Sequence, residues 1–311
     1  MSERALGAYC YHAARGFLDH LLEELPERDR LDGELLTVSG PRQRVFWTRN
    51  VWLSPLLIEF SSVREAANKL RDIQRNWAPL PARLHRRAAL IAEKLPPLPR
   101  RPRPFPFAVP DTPMGAFTLL DEGLMLASPS CSNPFPNGEF DFEEDHEGPP
   151  SRAYRKLWEA LLLTGKVPRP GERCLDAGAA PGGWTWAMAG LGASVLAIDR
   201  AELEPRIAAM SGVETMKGDA FALLPETLGA VDWLLSDVIC YPSALLAWVE
   251  RWVASGLAKN IICTIKMQGA DFDRATAARF AAIPGSRVVH LWHNRHELCF
   301  IRVEGDRGLG S

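Results

Sequence analysis

The stretch Cys174-Leu175-Asp176-Ala177-Gly178-Ala179-Ala180-Pro181-Gly182-Gly183-Trp184-Thr185-Trp186 leaves few folds open. It reads as a buried strand, a tight glycine turn and the start of a helix. Gly178, Gly182 and Gly183 let the backbone take positive φ and let a ligand come close. Downstream, Val195-Leu196-Ala197-Ile198-Asp199 reads as a second strand ending in a carboxylate. Glycine loop, helix and terminal acid are the layout of a nucleotide-binding α/β unit. The loop lacks the Lys-Ser/Thr pair of a phosphate loop, and Pro181 interrupts the dinucleotide spacing. The pattern therefore fits an adenosine-type cofactor without a phosphate, which points to S-adenosylmethionine.

From Ser151 onward, strand-like runs alternate with helical ones. Ala153–Leu163, Trp184–Leu191, Ala244–Ser255 and Asp271–Ala282 have helical spacing. Strand runs fall at 173–176, 194–198, 212–216, 231–235, 260–265, 287–292 and 298–303. This alternation predicts a Rossmann-like, doubly wound, mostly parallel α/β sheet. Only His293–Glu297 separates the last two runs, too little for a crossover helix, so an antiparallel pair is expected at one edge. Ligands of such sheets lie at the carboxyl ends of the strands. Three acids fall there: Asp199, Asp219 and Asp237. Asp199 is placed for ribose hydroxyls and Asp219 for an adenine amino group. With Gly178, Ala180, Pro181, Gly182 and Gly183 they form the expected cofactor set, with Trp184 covering it.

Residues 1–105 read as a small α+β module that ends in a basic, proline-rich linker. Strands are expected at Tyr9–His12, Leu35–Val38 and Arg44–Trp47. Helices are expected at Ala13–Leu25 and at Ser62–Asn76, the latter capped by Ser62. Between Lys69 and Arg103, ten lysines and arginines stand against two acids. That run is either a solvated face or a track for backbone phosphates. Residues 106–150 read as connecting strands, Gly115–Leu120 and Leu124–Ser128, and an acidic loop. Residues 151–311 form the second domain.

The net charge of −2 advertises no global nucleic-acid field, so such a surface must be local. The six cysteines are scattered with no C-x-x-C pair, which argues against a disulfide framework or a zinc site. Met1-Ser2-Glu3-Arg4 starts no signal peptide, and no apolar run reaches membrane-spanning length. A cytoplasmic protein without membrane or metal partners is expected. Oligomeric state is left open, a monomer being the simplest expectation.

Lys266 ends the buried run Ile261–Ile265, Lys156 lies in the helix before the first strand, and Glu297 lies between the last two strands. With Asp237 they would place two lysines and two carboxylates around one pocket. Two cations held together favour proton loss from one of them, which suits a general base near neutral pH. Taken singly, each lysine is equally a surface side chain and Glu297 a turn acid.

Residues 151–304 resemble the FtsJ-like ribose 2′-O-methyltransferases. Ser-Arg-Ala-x-x-Lys-Leu matches at 151–157 and Gly-Ala-x-Pro-Gly-Gly-Trp-Thr at 178–185. The family's Lys-Asp-Lys-Glu tetrad maps in order onto Lys156, Asp237, Lys266 and Glu297. Leu291-x-His293-x-Arg295-x-Glu297 and the Leu257–Lys266 run look most similar to the M-type large-subunit ribosomal RNA cytidine 2′-O-methyltransferases. That subgroup carries a THUMP-like RNA-binding module ahead of the catalytic domain, where the α+β segment stands here. The resemblance implies methyl transfer to a ribose hydroxyl of ribosomal RNA, with Lys266 accepting the proton and Lys156, Asp237 and Glu297 supporting it. The alternatives are a non-catalytic cofactor- and RNA-binding assembly protein, and a base or protein methyltransferase. Asp237-Val238-Ile239-Cys240 stands where base-amine enzymes carry an Asn/Asp-Pro-Pro-aromatic motif, which weighs against the last.

Overall fold

The computed structural model describes residues 3–99 and 101–310; Arg100 of the basic run and the first two residues of the amino-terminal reading lie outside them. The chain divides into two compact units. One comprises Met1–Arg103, Val109–Asp141 and Leu309–Ser311, the other Pro104–Ala108 and Phe142–Gly308.

The first unit contains β1 (Glu3–Ala5), β2 (Ala8–Ala13), α1 (Leu18–Glu24), β3 (Arg30–Asp32), β4 (Leu35–Ser39), β5 (Thr48–Trp52) and β6 (Leu56–Glu59). It continues with α2 (Val63–Ile73), β7 (Trp77–Pro79), α3 (His85–Ala92), β8 (Gly115–Asp121) and β9 (Leu124–Ser128). They form a five-stranded sheet, β1-β6-β9-β8-β7, and a four-stranded sheet, β3-β4-β2-β5. Ser62 caps α2 by accepting from the Glu65 amide, as its position suggests. Ala66, Ala67 and Leu70 of α2 and Ala88 and Ile91 of α3 are buried with Ile58, Phe117, Leu119 and Met125 of the larger sheet.

Four expectations shift here. The strand read at Arg44–Trp47 begins instead at Thr48, and the first helix begins at Leu18 because β2 runs through to Ala13. α3 forms inside the basic run, where arginines mask the buried Ala88 and Ile91. The strands of the 106–150 stretch do more than connect: β8 and β9 are interior strands of the larger sheet.

The second unit contains α4 (Tyr154–Thr164), β10 (Arg173–Ala177), α5 (Gly183–Gly190), β11 (Ser194–Asp199), α6 (Pro205–Ala208), β12 (Val213–Lys217) and α7 (Pro225–Leu228). Then follow β13 (Val231–Ser236), α8 (Pro242–Ser255), β14 (Ala258–Lys266), α9 (Arg274–Ala281), β15 (Arg287–Val289) and β16 (Glu297–Arg302). The strand order is β12-β11-β10-β13-β14-β16-β15. The first five strands are parallel, with helices between them, so the sheet is the Rossmann-like, mostly parallel one expected. The antiparallel strand is β16, and it sits one place in from the edge, between β14 and β15. β13 and β14 are buried almost throughout, so they read as continuous apolar runs rather than alternating ones. The carboxyl ends of β10, β11, β13 and β14 meet at one rim.

Candidate active site

The glycine turn leaves β10 at Gly178, whose φ is 77°. A Cβ there would lie 2.7 Å from the Val238 Cβ. Gly182 caps α5 with φ 112°, and a Cβ there would lie 2.8 Å from Ile207. Both positions are closed to other residues by backbone conformation and by space together. The Ala180 amide donates to Asp199 Oδ2 at 2.9 Å, and the Ala201 amide to Asp199 Oδ1 at 2.8 Å. One carboxylate thus orients the turn and still has lone pairs to offer a ligand.

Asp199 faces a cleft of about 340 Å³ lined also by Gly178, Ile198, Asp219, Phe221 and Ile239. Asp219 accepts from Arg200 at 2.5 Å and from the Phe221 amide at 2.9 Å. The Arg200 guanidinium holds its carboxyl below the ordinary range, so Asp219 is ionised at neutral pH. Apolar walls with two carboxylates, one of them paired with Arg200, suit an adenosine. That is the fit expected of the loop.

A smaller recess of about 50 Å³ lies between the glycine turn, Asp176, Trp184 and Asp237. Asp176 is 1% exposed and accepts from Thr185 Oγ1 at 2.6 Å. Burial raises its carboxyl to about 7, against the pull of the Thr185 hydrogen bonds. Trp184 is not the expected lid. Its ring is 3% exposed and its indole N–H donates to the Ala153 carbonyl at 3.0 Å, so it is a wall of the recess. Pro181 and Gly183 line the same recess.

The four tetrad residues come together. Lys156 Nζ donates to Asp237 Oδ1 at 2.8 Å and Oδ2 at 3.0 Å, and to Glu297 Oε1 at 2.9 Å. Lys266 Nζ donates to the Asp237 carbonyl at 2.6 Å and lies 3.2 Å from Asp237 Oδ1. Burial works against the Lys156 ammonium, but Asp237 and Glu297 outweigh it and hold its pKa above the ordinary value. Lys156 is therefore the standing cation of the group. Lys266 is differently placed: both its contacts go to Asp237, one to the carbonyl and one to the carboxylate.

The topology explains the assembly. α4 brings Lys156 across to the rim, Asp237 is the first residue beyond β13, and Lys266 ends β14. Glu297 is not in a turn as expected. It opens β16, where the antiparallel register sets it opposite Lys266.

Other residues escaped sequence reasoning. Thr264 Oγ1 donates to Asp237 Oδ1 at 2.5 Å. Its signal was the strand period, which puts residues 264 and 266 on one face. Glu159, one turn beyond Lys156, is 1% exposed and accepts from the Trp292 amide at 2.8 Å and the His293 amide at 3.0 Å. It thereby anchors the segment leading into Glu297. Nothing in its local sequence marks that role. All six cysteines are unpaired, and no group of three or more His, Cys, Asp or Glu residues able to hold a metal occurs among the described residues. No helix among them is long and apolar enough to cross a membrane.

Residues 149–264 match the FtsJ-like methyltransferase family, so fold and glycine turn together define a methyltransferase-type unit. The ribosomal RNA large subunit methyltransferase M of an Azoarcus species is 30% identical over 293 residues, covering 89% of this chain and 74% of that one. The chain belongs to the ribosomal RNA large subunit methyltransferase M family. The protein of that name from Halorhodospira halophila is 36% identical over 162 residues, but that match covers 48% of this chain and 45%, less than half, of the relative. Among solved structures, Aeropyrum pernix fibrillarin with bound S-adenosyl-L-methionine overlaps 60% of this chain and 81% of its own, at TM-score 0.35 and 20% identity. That overlap is too loose to add to the assignment.

Proposed function

We propose that this chain transfers the methyl group of S-adenosylmethionine to a ribose 2′-hydroxyl of large-subunit ribosomal RNA. The observation that carries the reading is the set of contacts joining Lys156, Asp237, Lys266 and Glu297, with Asp237 lining the recess beside the glycine turn. When bound, the cofactor supplies an electrophilic methyl group. Asp199 would take its ribose hydroxyls, Asp219 its adenine amino group, and Gly178 to Gly183 would pass beneath it. Asp176 and Asp237 line the recess that adjoins the cleft.

Lys266 receives the proton of the incoming hydroxyl. Asp237 fixes it through carbonyl and carboxylate, Lys156 holds Asp237 from the other side, and Glu297 completes the charge balance of Lys156. Much of the acceleration would be orientation of the hydroxyl toward the methyl group, an effect that can reach roughly 7–11 kcal/mol. The 2′-hydroxyl restricts this chemistry to RNA. The amino-terminal unit serves as the RNA-holding module in this reading. Arg71, Arg75, Arg86, Lys94 and Arg101 are exposed there and available to phosphates. A cytoplasmic location is part of the same proposal.

The test uses radiolabelled S-adenosylmethionine and large-subunit RNA from cells lacking ribose methylation. Label in alkali-resistant dinucleotides is expected, because a 2′-O-methyl group blocks cleavage of the next phosphodiester. Label in a base, or none, overturns the proposal.

A further inference from the structure

The two most exposed large apolar side chains among the described residues are Ile239, at 79%, and Tyr241, at 70%. Both stand in the loop 237–241, which Asp237 opens. Val238 before Ile239 and Cys240 after it are half-buried, Val238 against Gly178. Exposure thus alternates along the loop.

The loop is firmly held. Lys266 bonds the Asp237 carbonyl at 2.6 Å. The Gln268 amide reaches the Cys240 carbonyl at 3.3 Å and the Lys266 carbonyl at 3.5 Å. The Tyr241 carbonyl accepts from the Ala244 and Leu245 amides as α8 begins. Tyr241 therefore projects from rigid backbone fastened to the strand end that carries Lys266. Its ring has no aromatic neighbour and its phenol no hydrogen bond among the described residues. Ile239 lines the cofactor cleft, which accounts for its apolar character; Tyr241 does not line it.

We propose that Tyr241, flanked by Ile239, is the platform on which the base of the target ribonucleotide stacks while its 2′-hydroxyl meets Lys266. This rests on the function proposed above. A ribose presented to a recessed amine must be drawn out of its helical stack, and its base then loses a stacking partner. An aromatic side chain beside the pocket replaces that partner. Every base has a π face, so Tyr241 supplies hold and orientation, not base identity.

The experiment measures methyl transfer to unmethylated large-subunit RNA fragments, either intact or abasic at the methylated nucleotide. Tyr241→Ala is expected to raise KM for intact RNA roughly 5- to 100-fold, with cofactor affinity unchanged. Tyr241→Phe, which keeps the ring, restores KM. On abasic RNA the unchanged protein and Tyr241→Ala converge. Equal KM values on intact RNA, or an abasic penalty as large in Tyr241→Ala as in the unchanged protein, overturn the platform. Absence of ribose methylation by the unchanged protein overturns the proposed function and the platform with it. Ribose methylation that Tyr241→Ala leaves at full efficiency overturns the platform alone.

Discussion

The cofactor cleft and the tetrad share a rim but keep their charges differently. In the cleft, Asp199 is held by two backbone amides and Asp219 by one amide and Arg200, and both still face open space. In the tetrad, Lys156 and Glu297 are at most 9% exposed, and each charge is already answered by another side chain. The first arrangement waits for its ligand to complete it. The second is complete beforehand and offers only one nitrogen. Under the proposed function, binding and proton transfer would be separable, so substitutions at the two places should fail in different measurements.

Lys266→Ala should give the largest effect: a loss of roughly 100- to 10,000-fold in the single-turnover methylation rate, with cofactor affinity by calorimetry unchanged. A parallel loss of cofactor binding would erase the separation. Lys156→Ala strands the buried Glu297 carboxylate and leaves Asp237 only Lys266 and Thr264. It should cost about 3–5 kcal/mol of folding stability in urea titrations, a penalty no change in the open cleft should match.

Asp176 probes the boundary between the two places. Burial above all raises its carboxyl from the usual Asp value to about 7, despite the Thr185 hydrogen bonds. The folded chain therefore keeps a proton that the unfolded chain releases near pH 4. Its contribution is full below that pH and is lost as the pH climbs to 7. Asp176→Asn imitates the protonated form. It should gain on the order of 2 kcal/mol over the unchanged chain at pH 8 relative to pH 5, read from urea midpoints. A difference independent of pH would mean that Asp176 is ionised throughout. The smallest effect is expected for Asp199→Asn: cofactor affinity weaker by roughly tenfold, with stability and saturated rate nearly intact.

Legibility followed the same division. Asp199 and Asp237 each follow an apolar run, and a parallel sheet sends such ends to one rim, whereas Asp219 follows the polar β12 and rested on its place after that strand. The glycines were readable because positive φ has few substitutes. Lys156 and Glu297 could be singled out but not paired from local pattern, because their proximity depends on how α4 and β16 cross the sheet; the resemblance supplied their order. Thr264 had a periodic signal that a nearby lysine overshadowed. Trp184 was misassigned because its place after the loop does not reveal that its N–H turns to Ala153. In the amino-terminal unit, dense arginine hid α3. β8 and β9 were read correctly as strands, but the sheet they join was invisible without their partners.

The register of β16 against β14 has a temporal consequence. Lys156 and Glu297 lie 141 positions apart, and Glu297 arrives only when the returning strand zips beside Lys266. A chain emerging from synthesis can finish its glycine turn and five parallel strands and still lack its fourth charged group. The charged cluster is thus the last thing the domain completes, and fraying of that single strand would open it again.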